Sequence, residues 1–77
     1  MDDLLQETAL GWVYWEHSKH PLDIQVYETD ENINITVTKT YKQHVLKEFR
    51  KSFKKVGTIT KQQRRELILD TIEIFLR

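Results

Sequence analysis

The apolar positions of this chain change period twice. Over residues 3–18 they follow helical spacing, with Leu5, Ala9, Trp12 and Val13 on one side and Leu4 and Trp15 flanking it. Asp3 and Gln6, three apart, have the form of a capping pair at the start of such a helix. Gly11 weakens its interior by about 1 kcal/mol relative to alanine. Pro21 closes the segment, because the residue before a proline is pushed out of helical geometry. Leu10 and Tyr14 fall on the opposite side, so this first helix is apolar over a wide arc, and Tyr14 is the aromatic expected to be left for a partner.

From Leu22 the period is two. Leu22, Ile24 and Val26 alternate with Asp23, Gln25 and Tyr27, and Ile33, Ile35 and Val37 alternate with Asn34, Thr36 and Thr38. The polar stretch Thr29-Asp30-Glu31-Asn32 between them is turn-competent, so the pair reads as a β-hairpin. From Tyr41 the spacing reads as helical again. Val45, Leu46, Phe49, Phe53 and Val56 make one stripe, opposite Lys47, Arg50, Lys51, Lys54 and Lys55, and Gly57 is placed to end the element. Thr60 with Gln63 forms a second capping box, opening a last helix that runs to Arg77. Its polar residues Glu66, Asp70, Glu73 and Arg77 form one narrow stripe and the rest is apolar.

The expected fold is therefore α+β, a small single domain spanning residues 1–77, in the order helix–strand–strand–helix–helix, with the β-hairpin packed on the helices. The last helix has more apolar surface than one helix and one hairpin readily cover, which predicts a homodimer.

Residues 32–77 resemble a ribbon-helix-helix DNA-binding unit. The likeness rests on the alternating strand from Ile33 to Lys39, a helix ending at Gly57, and a final helix reading Glu66-Leu67-Ile68, Ile72 and Phe75-Leu76. It covers a little over half the chain. Both helices are long for that family, and the strand already has a hairpin mate in residues 22–28. In that family the strand pairs with its copy in a second subunit.

Composition narrows the function classes. The chain has no cysteine, which excludes disulfides and thiolate zinc sites. No apolar run approaches the roughly 18 residues of a membrane span, and the acidic opening Met1-Asp2-Asp3 is unlike a secretory signal, so a cytoplasmic protein is expected. Net charge is zero but unevenly spread. Residues 1–31 carry eight acids and one base, residues 32–65 ten bases and one acid, and residues 66–77 three acids and one base.

That asymmetry directs the functional reading. The ridge Lys47, Arg50, Lys51, Lys54 and Lys55 would attract a phosphate backbone. Lys61, Arg64 and Arg65 sit at the start of the last helix, where they oppose the helix dipole and ask for an anion. These eight residues are the candidate nucleic-acid-binding set. The expected function is a non-enzymatic, nucleic-acid-binding regulator. The alternative is a protein-interaction module, a small inhibitor or adaptor, that meets an acidic partner through the basic face or the apolar last helix. The same cations can instead be neutralised by the chain's own acidic first third. The polar row Asn34, Thr36, Thr38 and Thr40 on the second strand is read chiefly as solvent-facing, although short polar side chains on a ribbon can contact base edges.

Catalysis and cofactors find little support. Serine occurs only at Ser18 and Ser52, neither placed with a histidine–acid pair. His17 and His20 are three apart across a helix end with no third ligand, so no metal site and no cofactor is expected.

Overall fold

The computed structural model describes residues 5–9, 11–15 and 21–77. They form five strands and one helix: β1 (Leu5–Thr8), β2 (Gly11–Tyr14), β3 (Leu22–Glu28), β4 (Asn32–Tyr41), β5 (His44–Lys54) and α1 (Lys61–Leu76). The strands make one antiparallel sheet in chain order, β1-β2-β3-β4-β5, so every connection within it is a hairpin or short link. The helix lies across one face of this sheet.

The core follows from the two-residue period. Leu5, Trp12, Leu22, Ile24, Ile33, Ile35 and Val37 point to one face and are buried there. From above, α1 supplies Ile68, Ile72 and Phe75, with Thr71 among them. The Thr71 hydroxyl donates to the Leu67 carbonyl at 2.9 Å, which satisfies a polar group inside an apolar layer. The helix opens on the expected capping box: Thr60 Oγ1 accepts from the Gln63 N–H at 3.1 Å and the Gln63 side chain accepts from the Thr60 N–H at 2.9 Å.

The β3–β4 hairpin and the last helix stand where the sequence places them, but the helix–strand–strand–helix–helix order does not hold. Two expected helices are strands. In the first, Gly11 has φ +142°, outside helical geometry, and a Cβ there would lie 2.7 Å from the Ile24 carbonyl oxygen. The bulky residues after it, Trp12, Val13 and Tyr14, favour strands, and they pair with Leu22–Ile24. Asp3, His17 and His20 lie outside the described residues.

In the second, Phe49 and Phe53 are four apart, a spacing that keeps residues on one side of a helix and on one side of a strand alike, while the register shift between Lys39 and Thr40 sets Val45 opposite Thr40, off the face the phenylalanines share. The strand solution puts Lys47 and Lys51 on the same face as the phenylalanines. That is tolerable at a sheet edge, where lysine stems cover apolar surface while the ammonium escapes to water. The turn that makes it a hairpin, Lys42-Gln43, carries no glycine or asparagine, yet both residues have positive φ, 49° and 69°, as a two-residue hairpin loop requires. The ribbon-helix-helix likeness falls with the helix it needed between Tyr41 and Gly57.

Five strands in place of two also give α1 a wider floor. Ile68, Ile72 and Phe75 are covered within the chain, while Leu69, Ile74 and Leu76 stay exposed. Tyr14 is half-buried against the core, whereas Trp15 is exposed.

Candidate nucleic-acid interface

The eight candidate cations divide among three places with different surroundings. Those at the start of α1 meet the chain's own acids and carbonyls. Arg64 Nε donates to Glu28 Oε2 at 2.6 Å, Arg65 donates to the Leu5 carbonyl at 3.0 Å, and Lys61 lies 3.9 Å from Glu7. Lys55, just past β5, completes the Glu28 cluster: its ammonium is 3.5 Å from Glu28 Oε1 and donates to the Thr29 carbonyl at 3.0 Å. The hydrogen bond from Arg64 is the main reason the Glu28 carboxyl titrates below the usual carboxylate range, with Lys55 adding to it and partial burial opposing it. Arg64 and Arg65 are thus met within the fold, whereas the solvent-exposed Lys61–Glu7 contact is weak and leaves Lys61 available.

Lys47 has a structural role as well. It reaches from β5 to the far end of α1, where its ammonium donates to the Phe75 carbonyl at 2.7 Å and sits 4.6 Å from the Phe75 ring centroid. The last turn of α1 carries no basic residue of its own, so this lysine supplies the positive charge that the C-terminal end of a helix dipole favours.

Arg50, Lys51 and Lys54 remain on β5, joined by Lys39 on β4 and Lys42 in the turn. Among the described residues the one acid paired with any of these five is Glu48, 3.7 Å from Arg50 in a solvent-exposed contact. Such exposed pairs are weak and leave the cation available. Lys42 and Lys51 lie over the neighbouring rings of Tyr41 and Phe53. The β4–β5 ribbon runs on past the end of β3, because β3 pairs with β4 only as far as Thr38 while β4 continues to Tyr41. Val45 and Leu46, beyond that point, are 61% and 59% exposed.

The sheet face away from α1 is polar, and strand register orders it into rows. Tyr27, Asn34 and Ser52 lie side by side across β3, β4 and β5. Gln25, Thr36 and Arg50 form the next row, and Asp23, Thr38 and Glu48 the one after. Asn32 and Lys54 close the opposite end. A concavity of about 330 Å³ is lined by Tyr27, Asn34, Thr36, Arg50, Lys51 and Ser52. Sequence reasoning set aside the Asn34–Thr38 row and did not single out Tyr27. An exposed aromatic amid short polar residues on a strand was the available signal.

No cluster of three or more metal-ligating side chains occurs among the described residues. No helix there is long and apolar enough to cross a membrane. Comparison with protein-family models, with curated proteins and with solved structures finds no match for this chain.

Proposed function

We propose that this protein is a non-enzymatic, nucleic-acid-binding protein that engages phosphates through its β4–β5 ribbon, with Lys39, Lys42, Arg50, Lys51 and Lys54 as the contacting cations. One observation carries the reading: Glu28 meets Arg64 and Lys55 at and beside the start of α1, with Glu7 in a looser contact to Lys61, while the ribbon sets five cations against the single exposed acid Glu48. A projecting basic ribbon suits an extended polyanion, and released counterions would drive its association.

Fluorescence anisotropy with labelled oligonucleotides across a salt series tests it. Affinity should fall with a log–log slope of about −3 to −4 if most of the five cations meet phosphates. The double variant Lys51→Gln/Lys54→Gln should flatten that slope by about 1.5. Absence of binding to any single strand or duplex at low salt would refute the proposal.

Val45 and Leu46, exposed beside the cations, favour a second reading in which the ribbon meets an acidic, partly apolar protein surface. A partner that survives nuclease digestion, together with no oligonucleotide binding, would select it.

A further inference from the structure

We infer that the open sheet face takes single-stranded nucleic acid, with one base stacked on Tyr27 and the adjoining backbone held by Arg50 and Lys54. This rests on the nucleic-acid reading above and adds which form is bound and where.

The inference starts from the strand register. Tyr27 is on β3 and is 68% exposed: its row continues into the short side chains of Asn34 and Ser52 on one side, and β2 pairs with β3 only as far as Ile24 on the other. An aromatic ring in that setting contributes nothing to the core, which lies on the opposite face. Asn34 donates from Nδ2 to the Tyr27 carbonyl at 3.5 Å and lies beside the ring as a short polar neighbour. The amide and hydroxyls of Asn34, Thr36 and Ser52 form the floor of the 330 Å³ concavity and can bond to the edge of a base.

Charge then selects the ligand. The cations bordering this half of the face, Arg50 and Lys54, lie one row to either side of the Tyr27 row. The strand acids of the open face, Asp23 and Glu48, lie two rows from Tyr27, with Glu48 in an exposed 3.7 Å contact to Arg50. Stacking ring, polar floor and flanking cations match the base, base edge and phosphate of an unpaired nucleotide. A duplex keeps its base faces stacked inside and would leave the ring without a partner.

The test uses labelled homopolymeric single strands of thymidine or uridine and a duplex of the same length, with wild type, Tyr27→Ala, Tyr27→Phe and Arg50→Gln. Wild type should prefer the single strand. Tyr27→Ala should weaken that binding by about 5- to 150-fold, the range expected for one stacked base. Its salt slope should stay unchanged, because no phosphate contact is lost. Tyr27→Phe should retain the wild-type affinity, and Arg50→Gln should flatten the slope. Circular dichroism of each variant confirms the fold, which an exposed side chain leaves intact. If Tyr27→Ala binds the single strand as wild type does while Arg50→Gln still flattens the slope, this inference is overturned and the ribbon reading stands. If wild type binds neither form, both fall.

Discussion

Glu28 carries more of the electrostatic organisation than any other acid in the described structure. It receives Arg64 and Lys55 together, and its carboxyl is held below the usual carboxylate range chiefly by the Arg64 hydrogen bond. A carboxyl whose folded-state pKa is depressed adds stability above its unfolded value, and loses that contribution as pH falls through the folded one. Glu28→Gln should therefore cost about 1 kcal/mol at neutral pH, the scale of a partly exposed charge-assisted bond. The difference from wild type should shrink to nothing as the pH drops below the carboxylate range. Urea denaturation of both proteins at neutral and acidic pH checks this; a gap that stays constant with pH would contradict it. By sequence alone, any acid of residues 1–31 is able to meet the cations of α1. Among the described residues the acids that do so are Glu28 and Glu7, placed there by where β3 ends and where β1 lies.

Among the elements, the β4–β5 hairpin and α1 differ in how openly they are encoded. The α1 start is local: Thr60 and Gln63 close the capping box through bonds three residues apart, so the sequence suffices to place it. Thr60→Ala should cost about 1 kcal/mol of stability, the usual loss of an N-cap, as measured by urea unfolding. The hairpin turn has no such local signature. Lys42 and Gln43 both adopt left-handed backbone, which side chains other than glycine resist. Gln43→Gly should thus stabilise the protein by about 0.5–1 kcal/mol, once the greater freedom of glycine in the unfolded chain is set against the relieved strain. An unchanged or lowered denaturation midpoint would show that the turn is not strained. Because that turn lacks glycine and asparagine, and because apolar residues four apart suit both periods, residues 44–54 read as a helix.

Across the whole molecule, the fold sorts the basic segment into cations held by the chain's own groups and cations left to solvent. Adjacent residues show it best. Lys54 points to the open face opposite Asn32, while Lys55 turns toward Glu28 with its side chain only 17% exposed. Lys55→Gln should lower stability with the salt slope of oligonucleotide binding unchanged, and Lys54→Gln should lower the slope with stability unchanged. Denaturation and anisotropy on the two variants separate these effects, and equal behaviour of the pair would remove this division. The ranking of candidate cations is consequently reversed. By local electrostatics, Lys61, Arg64 and Arg65 have the stronger need for an anion, since they oppose the helix dipole. In the fold, Arg64 meets Glu28 and Arg65 meets a carbonyl, so the weakly held positive charge is that of Lys61 and of the cations on β5.

By itself the sequence determined the features that depend on near neighbours. These are the alternating strands from Leu22 to Glu28 and from Ile33 to Thr38 with their polar turn, and the capped helix from Lys61. The uneven distribution of charge along the chain was equally plain. What only the tertiary structure decided was the state of the segments whose pattern satisfies two periods, and the destination of each charge. A strand is completed by hydrogen bonds to a distant partner, and an ion pair by a carboxylate brought from another element. Glu28 and Arg64, thirty-six residues apart, meet only because the sheet places the end of β3 beneath the first turn of α1.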